Sequence, residues 1–182
     1  AEEAWSILGE KEFILNQSFP VGKSADLDLI TGESLVKQTI EDTRAILNLT
    51  KIEKPEEIVL IVAPEWKWEA VKIAGDLADD RGQVKLNQLI GSVMPIIPAE
   101  SKKFGADFLK KWVLKDIPSL GPGWQSKYSQ KVNELEILEA SVDFFSKVFG
   151  CDVRVISAEK AVSRLGPKSN QSSPLRPAIF VS

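Results

Sequence analysis

The chain has 182 residues, of which 43% are hydrophobic and 27% are charged, and its formal net charge is −3. This composition is that of a globular protein with one good core, and the acidic balance argues against a general nucleic-acid coat protein. The chain contains no apolar run long enough to span a bilayer and no basic-then-apolar signal segment at its start, so we expect no membrane partner and a cytoplasmic location.

The residue types that carry most enzyme chemistry are scarce. Histidine is absent, which removes the usual residue of general bases, proton shuttles and zinc sites. The single cysteine, Cys151, has no partner for an internal disulfide and no histidine to activate a thiolate. We therefore expect Cys151 to be a small core residue that opens a strand, in a protein of the reducing cytosol.

The first third of the chain is predicted to be mainly helical. Residues 12–17 are either a short strand or an extended lead-in, and Thr31 is placed to cap the first helix. Four residues form a stripe along this helix: Val36, Ile40, Thr43 and Leu47. Because the stripe needs partners, we expect one helix of a truncated bundle. A charged linker containing Pro55 follows, and we place a domain boundary between 1–54 and 55–182.

The run 58–63 is apolar without a break and rich in β-branched residues, which predicts a strand buried on both faces. Pro64 fits the first position of a following helix, and Glu65 fits its first turn. No glycine-rich phosphate loop joins the strand to the helix, so the turn gives no nucleotide signal. We expect Trp66 in the core, while Trp68 is the freer of the two tryptophans and a candidate for stacking on a base.

Two more strands and several helices are predicted downstream. Asn133 and Glu136 form the pattern of a capping box for a helix that Gly150 ends. The remaining segments are helices near 86–94 and 104–113, strands at 152–156 and 177–181, and a polar segment at 157–174 that we expect to be a mobile loop. The fold class is therefore α/β, with α+β nearly as apt, in which a small three-stranded sheet packs with four or more helices.

No catalytic constellation emerges from the side chains. Glu65 and Glu69 lie four residues apart and could hold a metal only with a third carboxylate, which nothing in the sequence supplies. Positive charge is instead concentrated in two segments of the second half, 102–131 and 153–182. These lysines and arginines are either scattered on solvated helix faces or grouped to contact phosphates.

Three segments stand in a fixed order along the chain: GESLVKQTIEDTRAIL at 32–47, VAPEWKW at 62–68 and PLRPAIFV at 174–181. They resemble the last anticodon-domain helix, the strand-to-helix turn that opens the C-terminal domain, and the terminal strand of the archaeal and eukaryal type of leucyl-tRNA synthetase. The likeness covers most of residues 10–182. It implies that 1–54 is the end of the anticodon-binding helical domain and 55–182 is a C-terminal α/β tRNA-binding domain.

The resemblance also implies a function. The parent enzyme, a leucine–tRNA ligase, uses ATP and Mg²⁺ in an upstream Rossmann-type domain, and neither the HIGH-like nor the KMSKS-like catalytic motif is present here. We therefore expect no catalytic residue, metal or cofactor in this fragment, and upstream synthetase domains and tRNALeu as its partners. In the family, the terminal domain reads the long variable arm of tRNALeu, and the extreme C-terminal residues meet the tip of that arm.

The RNA-binding residues that follow are basic residues of the second half and the tail: Lys103, Lys110, Lys111, Arg154, Lys168, Arg176, Ile179, Phe180, Val181 and Ser182. Where family members commonly end in an acidic residue, this chain has Ser182.

Two other hypotheses remain open. One is a docking module of a translation complex, which binds other translation proteins through the tryptophan-bearing helices. It is distinguished from tRNA binding by whether Lys103, Lys110, Lys111, Arg154 and Arg176 share one surface, as RNA binding requires. The other is a ligand-binding or enzymatic α/β domain, which needs a deep pocket lined by Glu65, Glu69 and a third carboxylate.

Overall fold

A computed structural model of the chain describes residues 2–7, 9, 13, 27–129, 131–165 and 170–182. The helices are α1 (Glu2–Ile7), α2 (Leu27–Thr50), α3 (Glu65–Asp76), α4 (Leu86–Val93), α5 (Lys102–Lys111), α6 (Ile117–Leu120), α7 (Trp124–Lys127), α8 (Glu134–Ala140), α9 (Val142–Phe149) and α10 (Ala158–Leu165). The strands are β1 (Glu57–Val62), β2 (Asp152–Ser157) and β3 (Ala178–Val181). A π-helical turn at Trp112–Asp116 joins α5 to α6.

Strand β1 is the centre of a mixed sheet with the order β2-β1-β3. It runs parallel to β2, with Ile58 opposite Val153, and antiparallel to β3, with Ile58 opposite Val181. Because both edges of β1 are bonded and both of its faces are covered, every residue after Glu57 in the strand is buried. The prediction of three strands in one sheet, with helices packed against it, is confirmed.

Alternate residues of β1 enter two separate cores. One face packs against helices α2, α8 and α9 through Ile58, Leu60, Val62, Leu35, Leu138 and Phe145. The other face packs against α10 through Val59, Ile61, Ala158 and Ala161. Cys151 lies half-buried directly before β2 and joins the edge of the first of these cores.

Helices α3 to α7 enclose a third core, which is aromatic. Trp112 stands edge-on to Tyr128 at a centroid distance of 5.3 Å, and Trp66 stands edge-on to Phe108 at 5.4 Å. Trp66 is in this core as predicted. Trp68 is also buried, so the prediction that it is free to stack on a base is wrong, because its indole N–H donates to a buried carboxylate described below.

The buried line of α2 is shifted from the predicted stripe. It runs through Gly32, Leu35, Thr39 and Thr43, whereas Val36, Ile40 and Leu47 are only partly buried. The two threonines tolerate burial because each hydroxyl donates to the carbonyl four residues earlier, at 2.8 Å and 2.7 Å. Helix α2 also begins at Leu27, before Thr31, so Thr31 is not its cap. The boundary between 1–54 and 55–182 stays a prediction.

The segment 157–174 is not the loop that its polar composition predicted, because α10 occupies its first half. Ala158 and Ala161 are spaced by three residues, and their small side chains let the helix lie directly on β1. Pro64 was predicted to be the first residue of α3, whereas it lies one residue before the helix in an extended conformation. The predicted strand or lead-in at 12–17 lies outside the described residues, except for residue 13.

Both predicted ends of the helical segment after Asn133 are confirmed, although Ser141 divides the segment into α8 and α9. The Asn133 side chain accepts a hydrogen bond from the N–H of Glu136 at 3.3 Å. Gly150 ends α9 with a φ of 69°, the left-handed conformation that glycine adopts at low cost. Among the helices that the structure describes, none is long and apolar enough to cross a membrane.

Candidate nucleic-acid interface

A tight turn leads into β3 and has an unusual backbone. Ser173 and Arg176 exchange two backbone hydrogen bonds, at 3.0 Å and 2.8 Å, across Pro174 and Leu175. Leu175 has a φ of 60°, and a positive φ at the third residue is the requirement of a type II turn, in which Gly or Asn is usual. A buried leucine in this conformation stores strain of roughly 1–3 kcal/mol, which its surroundings must hold in place.

Lys67 of α3 holds the segment that precedes this turn. The lysine is 1% exposed, and its Nζ donates to the carbonyl oxygens of Asn170 at 2.7 Å and Ser172 at 2.5 Å. The ammonium group also lies 4.9 Å from the centre of the Phe108 ring. Burial, with a smaller contribution from the charge of Lys111, lowers the pKa of Lys67 to about 8.

Glu134 of α8 holds the turn itself. Its carboxylate is 4% exposed and accepts hydrogen bonds from the backbone N–H of Leu175 at 2.5 Å and from the Trp68 indole at 3.1 Å. Burial raises the pKa of Glu134 to about 7, although these two hydrogen bonds favour the charged form. The strained turn is therefore fixed by a buried cation on one side and a buried carboxylate on the other.

Lys111 and Arg176 stand between two depressions in the surface. The first, which we call the α2–α5 groove, has a volume of about 700 Å³ and is lined by α2, α5, the segment before the turn and the start of β3. The second, which we call the turn pocket, has a volume of about 230 Å³ and lies between the turn and the end of α7. Because both residues line both depressions, they form one continuous surface.

The two depressions differ in charge. In the α2–α5 groove, Lys111 and Arg176 are matched by Asp42 and Asp107, and the Arg176 Nε donates to Asp42 at 2.9 Å. The turn pocket is lined by three basic residues, Lys111, Lys127 and Arg176, and by one acidic residue, Asp116. The Lys111 Nζ lies 4.0 Å from that carboxylate, which is a loose ion pair. The turn pocket is therefore the more positive of the two.

The predicted basic residues do not all share this surface. Lys111 and Arg176 do share it. Lys103 and Lys110 are exposed on α5, the helix that also carries Lys111. Because Lys103 and Lys110 are seven residues apart, these two lysines lie on one face of the helix. Arg154 lies on β2, at the opposite edge of the sheet from β3, and it pairs with Glu57 at the start of β1. Lys168 lies outside the described residues.

The predicted tail residues form β3 and are occupied by packing. Ile179 and Val181 pack towards the core with α2, α8 and α9, while Phe180 packs towards α10. The side chains of β3 therefore alternate between the two faces of the sheet, and both faces are packed. Ser182 has an exposed side chain, and its backbone N–H donates to the carbonyl of Glu57 at 3.0 Å.

The site that the sequence suggested around Glu65 is not assembled in the described part of the chain. The Glu65 carboxylate pairs with Lys131, whereas Glu69 is exposed and absent from the lining of the pocket that Glu65 shares with Glu134. Within the described residues, no group of three or more Cys, Asp or Glu side chains could hold a metal ion. The tryptophan-bearing helices offer no exposed indole rings for docking, because Trp66, Trp68, Trp112 and Trp124 are all buried, and docking of another protein through these helices stays a prediction.

Sequence reasoning missed three residues: Lys67, Lys127 and Glu134. Lys67 alone carried a local signal, since it stands between two tryptophans at the start of a helix that follows a buried strand. Nothing in the pattern around Lys127 or Glu134 separates them from ordinary exposed helix residues.

Comparison with known proteins identifies relatives of one kind. No protein-family model matches it. It is similar to the leucine–tRNA ligases of Methanosarcina barkeri, with 29% identity over 188 residues, of Methanosarcina acetivorans, with 30% over 188, and of Methanocaldococcus jannaschii, with 30% over 184. Each match covers 99% of this chain but 17% to 19% of the relative, so the chain spans about a fifth of the length of these relatives. The chain is thus homologous, over nearly its whole length, to one segment of archaeal leucyl-tRNA synthetases.

Proposed function

We propose that this chain is the C-terminal tRNA-binding part of a leucyl-tRNA synthetase, which grips the long variable arm of tRNALeu. Leucylation, with its ATP and Mg²⁺, then belongs to a catalytic domain outside these residues, and upstream synthetase domains are its partners in the cytoplasm. The observation that carries this proposal is the similarity to leucine–tRNA ligases along 99% of the chain.

The surface around Lys111 and Arg176 supports the proposal. A long variable arm presents backbone phosphates and unpaired bases at its tip, and such an element calls for grouped cations beside a place for an unstacked base. Lys111 and Arg176 provide the cations, with side chains 58% and 66% exposed. Phe104 lines the α2–α5 groove beside the amides of Asn170 and Gln171, an arrangement suited to stacking and edge recognition of one base.

The remaining predicted residues take smaller roles in this proposal. Lys103 and Lys110 extend the positive face of α5 along the arm, and Lys168 remains a proposed phosphate contact. Ile179, Phe180 and Val181 position the end of the chain through their packing, so that Ser182 is the tail residue that offers an exposed polar side chain to the arm tip. Arg154 is peripheral because it lies on the far edge of the sheet.

The proposal is tested by filter binding of the chain to tRNALeu and to tRNALeu with a shortened variable arm, over a series of salt concentrations. We expect weaker binding without the arm, and a slope of log affinity against log salt of about −0.7 to −0.9 for each phosphate contact. The double variant Lys111→Glu with Arg176→Glu should lose most binding, while the control Arg154→Glu should lose little. Equal affinity for the two RNAs, or an affinity independent of salt, would overturn the proposal.

A second candidate, docking of another translation protein or synthetase domain, is favoured by exposed apolar side chains of α2. Ile30 and Leu49 are 48% and 83% exposed, which is unusual for large apolar residues on a helix that otherwise packs on the sheet. A variant with both residues changed to Ser distinguishes the candidates. Unchanged tRNA binding with weaker association to the other domains of the synthetase assigns α2 to docking, and weaker tRNA binding assigns it to the RNA.

A further inference from the structure

We propose that the turn pocket is a phosphate-binding site, in which Lys127 acts with Lys111 and Arg176. The inference deepens the proposed function, on which it rests for the identity of the RNA, but the site itself stands on the geometry of the pocket. Lys127 lies in the last turn of α7, in a segment to which nothing else assigns a role.

The shape of the pocket suits a small anion. Its volume of about 230 Å³ is several times the roughly 30 Å³ that one water molecule occupies in the liquid, so a phosphate group fits with some of its water. The three cations approach from three separate elements: the end of α5, the end of α7 and the turn. A phosphate in the pocket is therefore surrounded by positive charge rather than touched on one side.

The cations retain the capacity to bind. A guanidinium group carries five N–H donors, and the Arg176 side chain uses its Nε and its Nη2 on Asp42, at 2.9 Å and 3.4 Å. Lys111 has only the loose contact of 4.0 Å with Asp116. For Lys127, no ion pair is formed with any residue that the structure describes. A phosphate would thus gain contacts without first breaking a strong pair.

The wall of the pocket contains a residue with a strained backbone, and this strain is the second reason to assign a ligand to the pocket. Ser173, Pro174, Leu175 and Arg176 all line it, and Leu175 is held at positive φ by the buried carboxylate of Glu134. Strained residues that persist because their surroundings hold them are concentrated at ligand sites, where the strain fixes a binding group in advance. Here the strained turn fixes the backbone of Arg176, and the pair with Asp42 then orients its guanidinium.

The site is tested first with inorganic phosphate as the probe. In ¹H–¹⁵N spectra of the labelled chain, we expect saturable shifts of the amides of Ser173, Leu175 and Arg176 and of the Trp112 indole, which lines the pocket. Lys127→Gln should weaken phosphate binding about two- to fivefold, the range of one exposed ion pair, whereas the matched control Lys147→Gln, at an exposed lysine in the last turn of α9, should not. Shifts that never saturate, or that respond equally to the two substitutions, would overturn the proposal.

A second experiment separates this proposal from the proposed function. With tRNALeu, Lys127→Gln should reduce the magnitude of the salt slope by about 0.7 to 0.9, the contribution of one phosphate contact. If the unsubstituted chain saturates with phosphate but does not bind tRNALeu, the tRNA function fails and the pocket stands as a site for a free phosphate. If the chain binds tRNALeu and Lys127→Gln leaves the slope unchanged, the pocket proposal fails and the tRNA function stands.

Discussion

The carboxylate of Glu134 accepts a hydrogen bond from the backbone N–H of Leu175, across 41 residues of sequence. This bond joins a buried charge to one of the two non-glycine residues with positive φ in the described part of the chain. Each half of the pair is unfavourable alone, because a buried carboxylate loses its hydration and a leucine at positive φ is strained. Together they fix the turn that presents Arg176.

The strain at Leu175 has a measurable signature in the order of two variants. At ordinary positions Gly is less stabilising than Ala by roughly 0.5–1 kcal/mol. At a φ of 60° the order should reverse, so Leu175→Gly should be more stable than Leu175→Ala by about 1 kcal/mol. Urea unfolding of the two variants measures the difference. If Ala is the more stable of the two, the turn is not strained as described.

Glu134 should make stability fall as the pH rises from about 4.5 to about 7. Its folded pKa of about 7 is raised from 4.5, so the folded state binds the proton more tightly, and the stabilisation present below pH 4.5 is lost as the pH rises through 7. The full effect is about 3 kcal/mol as an upper estimate. Urea unfolding over this pH range should show the slope in the unsubstituted chain and a flatter dependence in Glu134→Gln; equal slopes would contradict the assignment.

Lys67 should act in the opposite direction and in a different pH range. Its folded pKa of about 8 is lowered from 10.5, so the folded state releases its proton more readily, and stability should rise between pH 8 and 10.5 by up to about 3 kcal/mol. The comparison is between the unsubstituted chain and Lys67→Met, since other lysines and tyrosine titrate equally in both. A pH dependence that survives in Lys67→Met would show that another group is responsible.

The tail prediction becomes sharper now that β3 is seen as a packed strand. Deleting Val181 and Ser182 removes the partner of Ile58 and the bonds to Glu57, so the deletion should lower the thermal midpoint and does not test recognition cleanly. Ser182→Asp keeps the backbone bonds to Glu56 and Glu57 and removes only the long hydrogen bond of 3.4 Å from the exposed Ser182 hydroxyl to the Glu57 carbonyl. We expect it to alter the ratio of affinities for tRNALeu with and without the long arm by more than twofold, with an unchanged thermal midpoint.

An unaltered affinity ratio in Ser182→Asp would mean that the end of the chain does not contact the arm tip. The matched control is Ser92→Asp, which places the same charge on an exposed serine of α4. Both variants should bind somewhat more weakly because of the added negative charge. Only Ser182→Asp should change the preference between the two RNAs.

The elements of the fold that could be predicted are those whose sequence pattern lies within a few neighbouring residues. Strand β1 was predictable because successive apolar, β-branched residues leave no solvated face, and the Asn133 cap because its partner lies three residues away. Helix α10 was missed because the residues that the structure shows buried on it, Ala158 and Ala161, are alanines, which carry almost no apolar signal. The buried line of α2 was misplaced because threonines that bond their own backbone behave as core residues.

The candidate site could be predicted only in part, because it is assembled from distant segments. Lys111 and Arg176 were chosen as members of basic segments, yet their proximity depends on a turn that α3 and α8 hold from outside those segments. Lys127 comes from a third element and looks locally like any exposed lysine. Lys67 could not be placed from its local sequence, because the carbonyl oxygens that accept its hydrogen bonds lie more than 100 residues later.

The pairing of Ser182 with the start of β1 has a consequence for how this unit is joined to other protein. The Ser182 carbonyl accepts from the N–H of Glu56 at 2.8 Å, so the two ends of the segment 56–182 lie side by side. A unit with adjacent ends can be inserted into a host loop, or be circularly permuted, with little distortion of either partner. A graft of 56–182 alone would lack α2, which covers one face of the sheet, so we expect the strand pairing to persist with a lower free energy of unfolding than in the whole chain.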